Sequence, residues 1–257
     1  MNALSAVVIT LNAERGLEDC LRSVAFADDI LVVDSGSTDR TLAIAAGCGA
    51  RIIHQEWLGY GAQKSFAADR AEHDWILSID ADEQVTDELR QAIVALLREP
   101  RRCAYRMPRR NRFMGRWLRH GEGYPDYSVR LFDRRQARWS DDPVHEKVVC
   151  PSAPGLLRGD LLHASEEGLA DYIRKQNGYT TLQARALYQA GTRSTVSRTV
   201  FSPCLRFFKF YFFRLGFLDG LPGFVHIAIG CFNSFLKYAK LRELQAGGDV
   251  PRSQSGL

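Results

Sequence analysis

Closely spaced cysteines are missing from this chain. Its six cysteines (Cys20, Cys48, Cys103, Cys150, Cys204 and Cys231) are scattered, with no short paired spacing. That excludes a structural zinc site and a disulfide framework, and it fits a reducing compartment. The N-terminus has no succession of basic region, apolar stretch and cleavage site, so no secretory signal is expected. Nothing repeats, and no segment is low in complexity. The first predicted strand is not followed by a glycine fingerprint. Asn12-Ala13-Glu14-Arg15-Gly16 stands there instead, which argues against a dinucleotide oxidoreductase. It argues equally against the glycine-rich, basic loop of a sugar-phosphate nucleotidyltransferase.

What is present is an ordinary globular composition: 257 residues, 46% hydrophobic and 25% charged, with a mild net charge of +4. Apolar runs read as strands over Ser5–Leu11, Ile30–Asp34, Arg51–His54 and Trp75–Asp80. Between them, helical spacing appears at Leu17, Cys20, Leu21 and Val24, at Thr41–Ala46, and at Gly61–Ala71. Leu89, Ile93, Leu96 and Leu97 mark a further helix, opened by Thr86-Asp87-Glu88 and stopped by Pro100. This alternation predicts right-handed βαβ units and a mainly parallel sheet flanked by helices. Tyr105–Phe113, Ser128–Asp133 and Val144–Cys150 read as strands, and Gly168–Ala190 as one long helix.

In an open α/β sheet, ligands bind beyond the carboxyl ends of the strands. Three polar groups fall there: Thr10, Asn12 and Glu14 after the first strand, Asp34 at the end of the second, and Asp80-Ala81-Asp82 at the end of the fourth. A carboxylate pair on a rigid strand end suits a hard divalent cation and the phosphates it carries. Asp-x-Asp alone is a weak signal; in register with two other polar clusters it is much stronger.

The motifs Val8–Glu14, Val32–Asp39 and Asp80–Glu83 resemble the family 2 glycosyltransferases of GT-A fold. Further along, Tyr124–Phe132, Val144-His145-Glu146 and Gly216–Gly220 are similar to the subgroup that includes bacterial lipopolysaccharide-core β-1,4-glucosyltransferases. The resemblance implies a metal-dependent, inverting transfer from a UDP-sugar, with UDP-glucose the first expectation. It implies that Asn12, Glu14 and Asp34 line the base pocket, that Asp80 holds the ribose, and that Asp82 binds Mg²⁺ or Mn²⁺. Thr10 and Ala81 complete that pocket, Lys64 is a further nucleotide contact, and His163 is a second metal ligand. The base that activates the acceptor hydroxyl is expected among Asp141, Asp142 and Glu146. Glu146 ranks first and Asp142 second, because the Glu-Asp pair of many relatives is missing. A sugar-phosphate nucleotidyltransferase and a non-catalytic sugar-nucleotide-binding membrane module stay open as alternatives.

Nine arginines lie between Arg98 and Arg119, and Arg130, Arg134, Arg135 and Arg138 follow. Such forks suit a phosphorylated, anionic glycolipid acceptor, with Arg130 assigned to it. No nucleic-acid motif accompanies the charge, so nucleic acid is not an expected partner. From Phe201 to Leu241 the chain is aromatic with interspersed basic residues. That pattern predicts monotopic attachment to a membrane surface, on the cytoplasmic side. The expected organisation is a glycosyltransferase domain over 1–195 (nucleotide-binding half 1–100, acceptor-side half 101–195), an attachment region over 196–245 and a disordered tail over 246–257.

Overall fold

The structure, a computed structural model, describes residues 2–140, 146–164 and 168–247. It divides into two compact units: Met1–Arg112 with Pro125–Ser165, and Phe113–Tyr124 with Glu166–Leu257. The long helix that the sequence reading placed in the transferase half therefore sorts with the C-terminal helices, and a short internal stretch joins it there.

The elements begin with β1 (Leu4–Thr10), α1 (Leu17–Ser23), β2 (Asp29–Asp34), α2 (Thr41–Gly47), β3 (Arg51–His54) and α3 (Tyr60–Arg70). Next come β4 (Trp75–Asp80), β5 (Glu83–Val85), α4 (Asp87–Leu96), β6 (Ala104–Phe113), β7 (Arg116–Trp117) and β8 (Asp126–Asp133). The strands end with β9 (Arg138–Trp139), β10 (Val148–Val149), β11 (Gly155–Leu156) and β12 (Leu161–His163). Helices α5 (Leu169–Gln189), α6 (Val196–Phe208) and α7 (Gly220–Gly247) close the chain.

The main sheet of the first unit has the order β3-β2-β1-β4-β8-β6-β12-β5. Its first four strands are parallel, as β-branched runs separated by crossover helices require. Beyond β4 two strands are reversed: β8 is antiparallel to β4 and to β6, β12 is parallel to β6, and β5 is antiparallel to β12. The sheet is thus mixed, with flanking helices, consistent with the GT-A fold. The strand expected over 144–150 is seen as Val148–Val149, and residues 141–145 lie outside the described residues.

Both faces of the sheet are covered. On one face Leu4, Ala6 and Val8 of β1 pack with Leu17, Leu21, Leu89 and Ile93 from α1 and α4. On the other, Val7 packs with Leu31, Val33, Ala67 and Phe132. The two-residue alternation along β1 follows from the pleat. Helix α4 starts where Thr86 predicted it: its hydroxyl accepts from the Leu89 N–H at 3.4 Å.

In the second unit, α5 and α6 both pack on α7. Among the described residues no single helix is long and apolar enough to cross a membrane. Val196–Phe213 and Gly216–Gly247 meet that test only together, across a bend of 74°.

Candidate active site

Parallel pairing brings the polar strand ends side by side. Thr10 stands opposite Asp34, and Ile9 opposite Asp80. The loops that follow then lock together. The Asn12 N–H donates to Ser37 Oγ at 2.8 Å, and Asn12 Oδ1 accepts from the Thr38 N–H at 2.9 Å. The Glu14 N–H donates to Asp39 at 3.1 Å, and Glu14 accepts from the Arg40 N–H at 3.2 Å. Asn12 adopts φ 52°, a left-handed conformation that asparagine tolerates. Gly16 has φ 152°, and a Cβ there would lie 3.4 Å from the Ala81 carbonyl oxygen. The loop after β1 therefore runs tight against the Asp80–Asp82 turn.

Asp34 is the centre of this lattice. Its Oδ1 accepts from the Thr10 hydroxyl at 3.0 Å and the Ser37 hydroxyl at 2.5 Å; its Oδ2 accepts from the Gly36 and Ser37 N–H groups at 2.9 and 2.8 Å. Burial pushes its carboxyl up, but the bonds from Ser37, Gly36 and Thr10 outweigh this and hold it below the ordinary range. Four donors from the chain occupy the carboxylate. The structure thus gives Asp34 the job of shaping the loop at 35–39, and the exposed groups beside it are those of Asn12 and Glu14.

The carboxylates after β4 separate into different environments. Asp80 is held by two cations: Lys64 Nζ lies 3.1 Å from Oδ1 and Arg130 Nη2 2.5 Å from Oδ2. Burial raises its pKa, but Arg130 and then Lys64 overcome that and push it well below the carboxylate range. Lys64 is itself buried, sits over the Trp139 ring with Nζ 4.9 Å from the centroid, and donates to Glu146 Oε1 at 3.1 Å. Asp80, Lys64 and Glu146 thus form one continuous chain of charge that joins the turn after β4 to the carboxylate ranked first as base in the sequence analysis. Asp141 and Asp142, the other candidates, lie outside the described residues.

Arg130 departs from its sequence assignment. Its side chain is 4% exposed, and the guanidinium bridges Asp80 and the fully buried Glu83, the latter at 2.7 Å. It acts as a strut inside the sheet, with its guanidinium turned to two carboxylates. The arginine-rich middle is likewise partly internal. Arg109 donates to Asp126 at 2.7 Å and lies 3.4 Å from Glu83, and Arg110 pairs with Asp160.

Asp82, by contrast, keeps a 41% exposed side chain, and its Oδ2 lies 3.2 Å from His163 Nε2. This meeting is made by β12, whose His163 pairs with Glu83 of β5 on one side and Asn111 of β6 on the other. His163 Nδ1 lies 2.8 Å from Asn111 Oδ1. With Nδ1 engaged by that amide, Nε2 is the ring nitrogen that faces the Asp82 carboxylate. A divalent cation fits that donor set, with the amide as the outer hydrogen-bond partner that fixes the ring. Among the described residues no group of three or more His, Cys, Asp or Glu side chains is placed to hold a metal. Mg²⁺ is commonly held by one or two carboxylates, with substrate phosphates and water completing its shell, so Asp82 is the harder and better matched of the two donors.

Glu83, Asn111 and Trp139 had no role in the sequence reading, and Arg109 stood there only as one of the nine arginines between Arg98 and Arg119. Glu83 stood in the quoted motif, but its partners come from strands tens of residues away that only the sheet brings alongside.

The model of the family "Glycosyl transferase family 2" matches residues 5–162. The chain is 33% identical over 251 residues to the lipopolysaccharide core biosynthesis glycosyltransferase LpsC of Rhizobium meliloti, covering 95% of this chain and 93% of that one. It is 34% identical over 256 residues to an uncharacterized glycosyltransferase of Rickettsia bellii, covering 94% and 86%. Among solved structures it is similar to S. aureus TarS 1–349 in complex with UDP-GlcNAc, at TM-score 0.49 and 15% identity over 97% of this chain and 93% of that one. The chain belongs to glycosyl transferase family 2.

Proposed function

We propose that this glycosyltransferase moves a sugar, glucose from UDP-glucose in the first instance, onto a lipopolysaccharide-core or related anionic glycolipid acceptor with inversion at the anomeric carbon. The observation that carries the reading is the chain Asp80–Lys64–Glu146, in which one buried ammonium holds both carboxylates at 3.1 Å. Such a link keeps an acceptor-side carboxylate at a fixed place relative to the donor-side turn. The similarity to LpsC supports the acceptor class.

In the proposed reaction Glu146 takes the proton of the acceptor hydroxyl as that oxygen bonds to the anomeric carbon. The bond from that carbon to the diphosphate oxygen breaks in the same step, and the nucleoside diphosphate leaves with the electron pair. Lys64 occupies Oε1 of Glu146, so proton transfer falls to the other oxygen. Asp82 and His163 are the residues that would hold Mg²⁺ or Mn²⁺. When bound, the cation neutralises charge developing on the departing diphosphate. Asn12, Glu14 and the loop shaped by Asp34 form the base side of the pocket. The proposed place of action is the cytoplasmic face of the inner membrane, with the enzyme held peripherally by its C-terminal region.

The test is nucleotide release from a panel of nucleotide sugars, with and without Mn²⁺, in the presence of core glycolipid. The expected result is metal-dependent UDP release that rises on acceptor addition and is largest with UDP-glucose. No turnover with any nucleotide sugar would sink the reading.

A further inference from the structure

The second unit leaves a large apolar surface uncovered at the turn between α6 and α7. Phe201, Leu205, Phe208 and Phe212 follow at steps of three and four residues, and all four are exposed. Phe213, at the end of this run, is 83% exposed, and Leu221 continues the patch into α7. Residues Lys209–Phe213 are a π-helical turn and Gly216–Asp219 a 3₁₀ turn, so the chain changes direction here by 74°.

The bend is held firmly. Leu215 has φ 56°, and a Cβ on Gly216 would collide with Ile227 and with the Phe210 carbonyl. Asp219 is almost completely buried and accepts the N–H groups of Arg119 and His120 at 2.9 and 2.8 Å, while the Gly121 N–H donates to the Arg214 carbonyl at 2.8 Å. A rigid corner with its aromatic side chains turned to water is a surface waiting for an apolar partner. Lys209 and Arg214 are exposed within the same turn, so the partner also carries negative charge at its boundary.

We propose that residues 201–221 form a re-entrant elbow that enters one leaflet of an anionic bilayer, with Phe213 at its deepest point, and turns back without crossing. The inference rests on the membrane-surface reading above and sharpens it to a named insertion site. The hydrocarbon core is about 30 Å thick and needs about 20 apolar residues in a straight helix; the 74° bend breaks the apolar run before that length. Interfacial seats of this kind combine buried aromatic area with basic residues at the headgroup level.

Two measurements on the full chain test it. In vesicle sedimentation, the wild type should bind phosphatidylglycerol-containing vesicles more tightly than pure phosphatidylcholine vesicles. Phe213→Ser should weaken binding about tenfold, as expected for losing one buried phenyl group. Its thermal unfolding should be unchanged, because the side chain is exposed. In the background Cys204→Ser, an environment-sensitive dye on Phe213→Cys should shift to the blue and be quenched by lipid-borne quenchers, whereas a dye on Gln189→Cys of α5 should not. A Phe213 label that stays in water while the protein still sediments overturns the elbow and leaves membrane attachment standing. Wild type that sediments with no vesicle overturns both. A dimer in solution that Phe213→Ser dissociates would mean that a second copy covers the patch, and would also overturn the proposal. None of these outcomes touches nucleotide release in solution, which tests the transferase reading separately.

Discussion

Replacing Arg130 by methionine removes the cation that joins Asp80 to Glu83, and the structure allows its cost to be worked out. Glu83 is fully buried; its Oε1 accepts from Arg130 at 2.7 Å and lies 3.4 Å from Arg109, and its Oε2 accepts from the Asp80 N–H at 3.0 Å. Breaking a buried pair from one side costs about 3–5 kcal/mol, because the stranded charge stays desolvated. Lys64 still supports Asp80, and Arg109 still supports Glu83, so the lower end, about 3 kcal/mol, is expected. In a chain of this size that corresponds to a Tm lower by about 6–12 °C. Arg130→Lys should recover part of the loss, since it keeps the charge without the fork. The gap between variant and wild type should also depend on pH. Asp80 has a depressed pKa in the folded protein, so its contribution is complete above the unfolded carboxylate value of about 3.9. It is lost as pH falls from there toward the folded value, and the two proteins should therefore converge in acid. Urea unfolding followed at neutral pH and in steps down to about pH 2 reads all of this. Unchanged stability together with a raised KM for acceptor would refute the strut and restore Arg130 as an acceptor contact.

Asp82→Ala should lower Mn²⁺-dependent turnover by at least about a hundredfold with no change in Tm, since the carboxylate is solvent-facing; turnover unchanged would place the metal elsewhere. His163→Ala should raise the Mn²⁺ concentration needed for half activity, and Asn111→Leu should do the same more weakly, about tenfold, through the ring it holds. Glu146→Gln should reduce kcat by about 10²–10⁴ with donor affinity kept; a loss confined to donor binding, measured by calorimetry with UDP, would remove Glu146 as the base. Ser37→Ala deletes the 2.5 Å bond to Asp34 and the bond from Asn12, so UDP should bind several-fold more weakly while kcat at saturation is retained.

The sequence by itself determined the parallel half of the sheet. The runs of β1, β2 and β4 are apolar on both faces, and such runs, separated by crossover helices, form a parallel layer with its polar groups at one edge. It therefore put Thr10, Asn12, Asp34, Asp80 and Asp82 at one edge without any coordinates. It also exposed the aromatic C-terminal region, whose composition has no place in the sheet. What it did not contain was the division of labour among those groups. Asp34 became a loop organiser because the loop after β2 folds four donors onto it. Asp80 became an internal ion pair because β8 lies antiparallel against β4 and brings in Arg130. His163 reached Asp82 only because β12 pairs with the three-residue strand β5, too short for periodicity to register. Charge at a strand end is local information; which opposite charge or lone pair it meets is set by strands tens of residues away, and only tertiary pairing decides that.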